Sequence, residues 1–123
     1  MALHKAYFAM RTDLGMSEAK LAVQVGHGTD LIHENAGLCP NYAAWKGGED
    51  GNDRRKVVCR VGGEAELRRI AARLDAAGLP WAEILDNGHT EFGGKRTLTG
   101  IVVLPPPGGP ARAAGPHPRP GWR

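Results

Sequence analysis

Serine is nearly missing from this 123-residue chain: Ser17 is its single copy. A Ser-His-Asp acyl-transfer triad is therefore left with one candidate nucleophile, and that residue sits where a helix needs a cap. Cysteine is almost as scarce. Cys39 and Cys59 stand 20 residues apart with no CxxC pair, which argues against zinc ribbons and fingers. Cys59 falls within an apolar run and reads as core filler. No stretch approaches the roughly 20 apolar residues of a membrane span, and Met1–Phe8 has no apolar core of signal-peptide length. The expectation is a cytoplasmic protein with reduced cysteines and no membrane partner.

Motifs of cofactor chemistry are absent too. There is no HExxH and no GxGxxG. Gly93-Gly94-Lys95-Arg96 superficially suggests a phosphate loop, but GxxxxGK[ST] needs Gly where His89 stands and Ser or Thr in place of Arg96. It also leads into a strand, so no helix N-terminus faces a phosphate. No metal and no other cofactor is expected. Charge of one sign is likewise lacking in the body. All 13 acidic residues precede position 105, as do 13 of the 16 lysines and arginines, so the net +3 resides in Arg112, Arg119 and Arg123. A neutral body exerts no general pull on phosphate, although it can carry a local basic patch.

What is present reads as one small domain. Tyr7–Met10 is a first strand, and Ser17 caps a helix with Glu18 at its positive end. That helix runs to about Asn35-Ala36-Gly37, with Gly37 as a left-handed stop and Leu21, Val25, Gly28 and Ile32 as its buried stripe. Residues 38–55 are irregular, with a single turn from Pro40-Asn41 through Trp45 whose rings pack at the edge of the domain, and a surface loop over 47–53. Lys56–Val61 is a β-branched second strand. Glu64–Ala77 is the clearest helix, apolar at Leu67, Ile70, Ala71 and Leu74, with Glu64 and Arg68 one turn apart and Gly78 and Pro80 ending it. Trp81–Leu85 and Thr97–Leu104 complete the strands. The fold class is α/β: a small three-layer sandwich with a four-stranded mixed sheet in the order β-α-β-α-β-β. The long β-α-β unit implies a parallel, right-handed crossover, whereas the segment from Asp86 to Arg96 is too long to fix how the last two strands pair. Residues 1–104 form the domain. Residues 105–123 hold seven of the nine prolines and read as a disordered, basic Pro/Gly-rich tail.

Two places can carry chemistry. Lys20, Gln24 and His27 share about 60° of the first helix and flank its apolar stripe; the spacing alone fits an ordinary solvated face. Asp86-Asn87-Gly88-His89-Thr90 follows the third strand, where α/β proteins place ligand-contacting groups, although a turn in which Asp86 bonds nearby N–H groups fits equally.

Together these segments resemble the type 2, archaeal and eukaryotic, peptidyl-tRNA hydrolases. Met10-Arg-Thr-Asp-Leu-Gly-Met-Ser-Glu-Ala-Lys20-Leu-Ala-Val-Gln24-Val-Gly-His27 is similar to the family opening (V/M)RxDLxMxxGKxAAQxxHA. Leu85-Asp86-Asn-Gly88-His-Thr90 is similar to its DAGxT turn, and Thr97–Pro105 to the strand that follows. The resemblance implies hydrolysis of the ester between peptide and tRNA, with Lys20, Asp86 and Thr90 as the reacting cluster. It implies Gln24, His27, Asn87, Gly88 and His89 as substrate-binding positions, and a homodimer. The chain departs from the family pattern at several points. Ser17-Glu18-Ala19-Lys20 replaces GKGK, Gly26-His27-Gly28 replaces small-His-Ala, His89 replaces the turn's arginine, and Leu104-Pro-Pro-Pro replaces the closing GPGP. These losses of cationic groups leave open an enzyme of the same fold acting on another ester or amide, and a non-catalytic binding module.

Overall fold

The computed structural model describes residues 4–39, 41–47, 53–88 and 92–105. Strand β1 (Ala6–Arg11) leads into helix α1 (Glu18–Glu34), a 3-10 turn (Ala36–Leu38) and a short helix α2 (Tyr42–Gly47). Strand β2 (Lys56–Val61), helix α3 (Glu64–Ala76), and strands β3 (Trp81–Asp86) and β4 (Thr97–Val103) follow. The turn expected at Tyr42–Trp45 is thus a six-residue helix. The sheet order is β2-β1-β4-β3. β1 and β2 pair in parallel, as the crossover requires, while β4 runs antiparallel to both β1 and β3. The open question of the last two strands is therefore settled as an antiparallel pair. It follows that β1, β2 and β3 all point the same way, and their carboxyl ends share one edge of the sheet with the start of β4.

Side-chain alternation sorts the core into two layers. Phe8, Met10, Ile84, Val102 and Leu104 pack with Ile32 and Trp45 on the α1 side. Ala9, Cys59, Val61, Ile101 and Val103 pack with Leu67, Ile70 and Leu74 on the α3 side. Three layers result, with α1 lying over β3 and β4 and α3 over β4 and β1. Ser17 caps α1 as expected, its hydroxyl accepting from Lys20 N at 3.0 Å. Arg68 bridges Glu64 at 3.1 Å and also reaches Glu83 on β3 at 2.8 Å. Both cysteines are buried and reduced, and burial raises their thiol pKa values.

Three expectations fail for identifiable reasons. Gly37 is not a left-handed stop: α1 ends at Asn35, whose φ is −107° and whose amide Nδ2 donates to Leu31 O at 2.8 Å. The side chain supplies what a glycine cap would have supplied, and Gly37 falls inside the 3-10 turn. Trp45 lies in the core, fully buried, with its indole N–H donating to Arg55 O at 2.8 Å, so the large apolar ring fills the layer instead of its edge. The line of α1 buried against the sheet is Lys20, Gln24, Gly28 and Ile32. Leu21 and Val25 are only partly buried beside it. Pro40, the loop over 48–52 and the tail beyond Pro105 lie outside the described residues; Leu104 and Pro105 themselves are buried.

Candidate active site

The carboxyl edge of the sheet gathers the polar groups. Asp86 ends β3 and is 5% exposed, yet it is charged, so its neighbours must replace the water it has lost. Lys20 Nζ lies 2.8 Å from Oδ1. Gln24 Nε2 donates to the same oxygen at 2.9 Å, and Gly88 N donates to Oδ2 at 2.7 Å. Burial pushes the Asp86 pKa upward, but the hydrogen bonds from Lys20, Gly88 and Gln24, with the charge of Lys20, outweigh it and leave the pKa below the ordinary value of 3.8. Asp86 is therefore an anion at neutral pH and a weak base.

Helix α1 reaches this carboxylate because of Gly28. A Cβ there would lie 2.7 Å from a Phe8 ring carbon and 2.8 Å from Ile84 Cδ1, so only glycine lets the helix settle this close to the sheet. Lys20 and Gln24, two turns and one turn nearer the N-terminus, are carried inward with it. Their burial corrects the view that they flank the apolar stripe. Helical spacing cannot register that the facing strand offers a carboxylate partner.

Thr99 is a member of this network that the sequence did not reveal. Its hydroxyl donates to Gln24 Oε1 at 2.8 Å and lies 3.1 Å from Ile84 O. Since Asp86 can only accept, the Gln24 amide must present its NH2 to Asp86 and its oxygen to Thr99. The β3–β4 register explains why Thr99 points inward: Ile84 pairs with Gly100 and Leu85 with Leu98, so Thr99 is the extra residue of a bulge. Threonine in a β-branched run looks like ordinary strand filler, and its only cue is the adjacent Gly100. Phe92 is a second unforeseen neighbour, its ring centroid 5.6 Å from Lys20 Nζ.

Gly88 makes the turn after Asp86. Its φ is +82°, and a Cβ would overlap the Lys95 backbone carbonyl. Gly94 N donates to Gly88 O at 2.9 Å, holding the two ends of the segment together. Asn87 is exposed, and so is His27, one turn beyond Gln24; the structure does not bring His27 into the Asp86 network. Thr90 and His89 lie outside the described residues. At the end of β1, Arg11 grips Asp13 through two bonds of 3.0 and 2.7 Å and donates to Leu98 O at 3.0 Å, tying the strand end to the start of β4. Among the described residues no buried side-chain nitrogen or oxygen lacks a partner.

A buried Lys-Asp pair is thus ordered by an amide and a hydroxyl at the carboxyl edge of the sheet. Residues 4–110 match the peptidyl-tRNA hydrolase PTH2 family. The chain belongs to that family. It is 33% identical over 101 residues to the peptidyl-tRNA hydrolase of Haloquadratum walsbyi, covering 82% of this chain and 85% of that one. It is 35% identical over 103 residues to the peptidyl-tRNA hydrolase of Halobacterium salinarum, covering 84% and 87%. It is 34% identical over 109 residues to that of Thermococcus onnurineus, covering 87% and 88%. Within this family member, Lys20, Gln24, Asp86 and Gly88 of the expected positions converge in space. No helix among the described residues is long and apolar enough to cross a membrane.

Proposed function

We propose that this chain hydrolyses the ester that joins a peptide to the 3′ ribose of tRNA, and that the reaction takes place at the Lys20–Asp86 pair. Membership of the peptidyl-tRNA hydrolase PTH2 family supports the reaction class. The 2.8 Å contact between two buried, oppositely charged groups is the observation that carries the site. Ester hydrolysis needs an oriented water and a donor for the tetrahedral oxyanion. Asp86, held ionised with a low pKa, serves best as the acceptor that aligns the water. Lys20 supplies positive charge where the oxyanion develops. Thr90 completes the reacting cluster by orienting the water, and Gln24 keeps the carboxylate in position through Thr99. Asn87, Gly88, His89 and exposed His27 contact the substrate. The enzyme works in the cytoplasm, where its substrate arises, as a homodimer; sedimentation at twice the 13.1 kDa chain mass tests the latter.

The decisive experiment measures release of an N-acetyl-aminoacyl group from tRNA by the wild type, Asp86→Asn and Lys20→Ala. The expected result is activity in the wild type that falls at least roughly tenfold in both variants, the scale of losing one electrostatic partner of a transition state. Full activity in Asp86→Asn would remove the carboxylate from the mechanism. A folded wild type without activity would overturn the reading.

A further inference from the structure

The face of β2 that looks toward the α1 side of the sheet is left open. Lys56, Val58 and Arg60 pair with Ala6, Phe8 and Met10, whose side chains belong to the α1-side core, so these three residues share that face. Helix α1 packs mainly over β3 and β4. All three are exposed, Val58 to 48%. Helix α2 borders the amino end of the row: Lys56 Nζ lies 5.8 Å from the Trp45 ring centroid, and exposed Lys46 Nζ lies 5.6 Å from that of Tyr42. These cations rest on aromatic faces, which limits their freedom, and Lys56 Nζ also donates to Arg54 O at 3.2 Å. Neither Arg60 nor Lys46 takes part in an ion pair among the described residues, in contrast to Arg11 and Arg68, which are engaged with Asp13 and with Glu64 and Glu83. The neutral body of the chain thus carries a local cationic strip.

Register places this strip relative to the reacting pair. Arg60 pairs with Met10, Met10 with Gly100 and Gly100 with Ile84, a single row across the sheet that ends two residues before Asp86. Three strand spacings of roughly 4.8 Å put Arg60 about 14 Å from β3 on the same face. At roughly 3.4 Å for each stacked nucleotide, that distance is about four nucleotides of a strand whose 3′ end reaches Asp86.

We propose that the strip formed by Lys46, Lys56 and Arg60 holds the backbone phosphates of the tRNA 3′ arm while its terminal ester lies at Lys20 and Asp86. This rests on the peptidyl-tRNA reading and extends it from the ester to the nucleic acid. The contacts are to backbone charge and carry no sequence preference, so the strip accepts every tRNA alike. Val58, between the two cations of the strand, offers the sugar edge an apolar contact.

The test compares two substrates, N-acetyl-aminoacyl-tRNA and the same acyl group esterified to the trinucleotide CCA, for the wild type, Arg60→Gln and the Lys56→Gln/Arg60→Gln double variant. The expected result is that the ratio of kcat/KM on tRNA to kcat/KM on the CCA ester falls by roughly fivefold or more in the double variant. The slope of log affinity for uncharged tRNA against log salt should flatten by about 0.8 for each cation removed. Arg60→Gln alone guards against a packing effect through the Lys56–Trp45 contact. Variants that melt with the wild type and keep its ratio and salt slope would overturn the proposal and leave the charges as protection of an edge strand, which requires no tRNA effect. If the wild type hydrolyses neither substrate, the hydrolase reading fails on its own. Retention of uncharged tRNA then decides the strip: weaker retention by the variants supports it, and equal retention overturns it.

Discussion

Asp86 holds three hydrogen-bond donors, one of them the Lys20 cation, while being 5% exposed. Removing either charge of such a pair leaves the other buried and uncompensated, at a cost of about 3–5 kcal/mol. Lys20→Met and Asp86→Asn are therefore each expected to be destabilised on that scale in urea unfolding. The double variant should lose much less than the sum of the two losses, because the second substitution removes the stranded charge; strict additivity would mean the pair is not coupled. The pH dependence has a defined sign. A carboxyl whose folded pKa is lowered, as this one is, contributes its full stabilisation above the unfolded value of about 3.9 and loses it as pH falls through the lower folded value. Acid unfolding assigned to Asp86 should thus appear below that value and be absent from Asp86→Asn. An acid limb of activity near pH 6 would have to come from another group.

At the scale of elements, α1 matters through how closely it approaches the sheet. Gly26 and Gly28 both sit in this helix, but a Cβ at Gly26 meets nothing within 4 Å, while one at Gly28 meets Phe8 and Ile84 below 3 Å. Gly26→Ala should gain about 1 kcal/mol from helix propensity alone. Gly28→Ala receives the same gain but overfills the core, at about 1–3 kcal/mol, and lifts Lys20 and Gln24 from Asp86. Thermal melts and hydrolysis rates separate the two: the first variant should be stabilised with activity kept, the second less stable than the first and impaired in kcat. Equal stability in both would mean that the α1–sheet contact yields freely. The helix itself was legible from Ser17, Glu18 and the apolar spacing. Gly28 and Ile32 of its expected stripe do turn inward, but the burial of Lys20 and Gln24 was not legible, because both are polar and their burial depends on a strand 62 residues away from Gln24.

For the whole molecule, the packed body extends through Leu104, whose N–H donates to Pro80 O at 3.0 Å, and Pro105. We propose that residues 106–123 lie outside the folding unit, on the ground of a composition too poor in large apolar side chains to offset ordering entropy. Their removal should shift the melting midpoint by less than about 4 °C, the equivalent of under 1 kcal/mol for a domain of this size. A larger fall would join the tail to the fold.

The amino-acid sequence by itself determined the four strands, the two long helices and the segments that mark the family. β-branched runs set the strands, Ser17 and Gly78 bounded helices, and the Lys20–Gln24 and Asp86–Gly88 segments marked the family, because these features act over a few residues. Tertiary structure alone decided which groups meet. The bulge that turns Thr99 onto Gln24, the glycine contact that lets α1 approach β3, the burial of Trp45 and the open cationic face of β2 all depend on strand register and on which layer covers which strand. Those are relations between segments distant in the chain, and no local pattern encodes them.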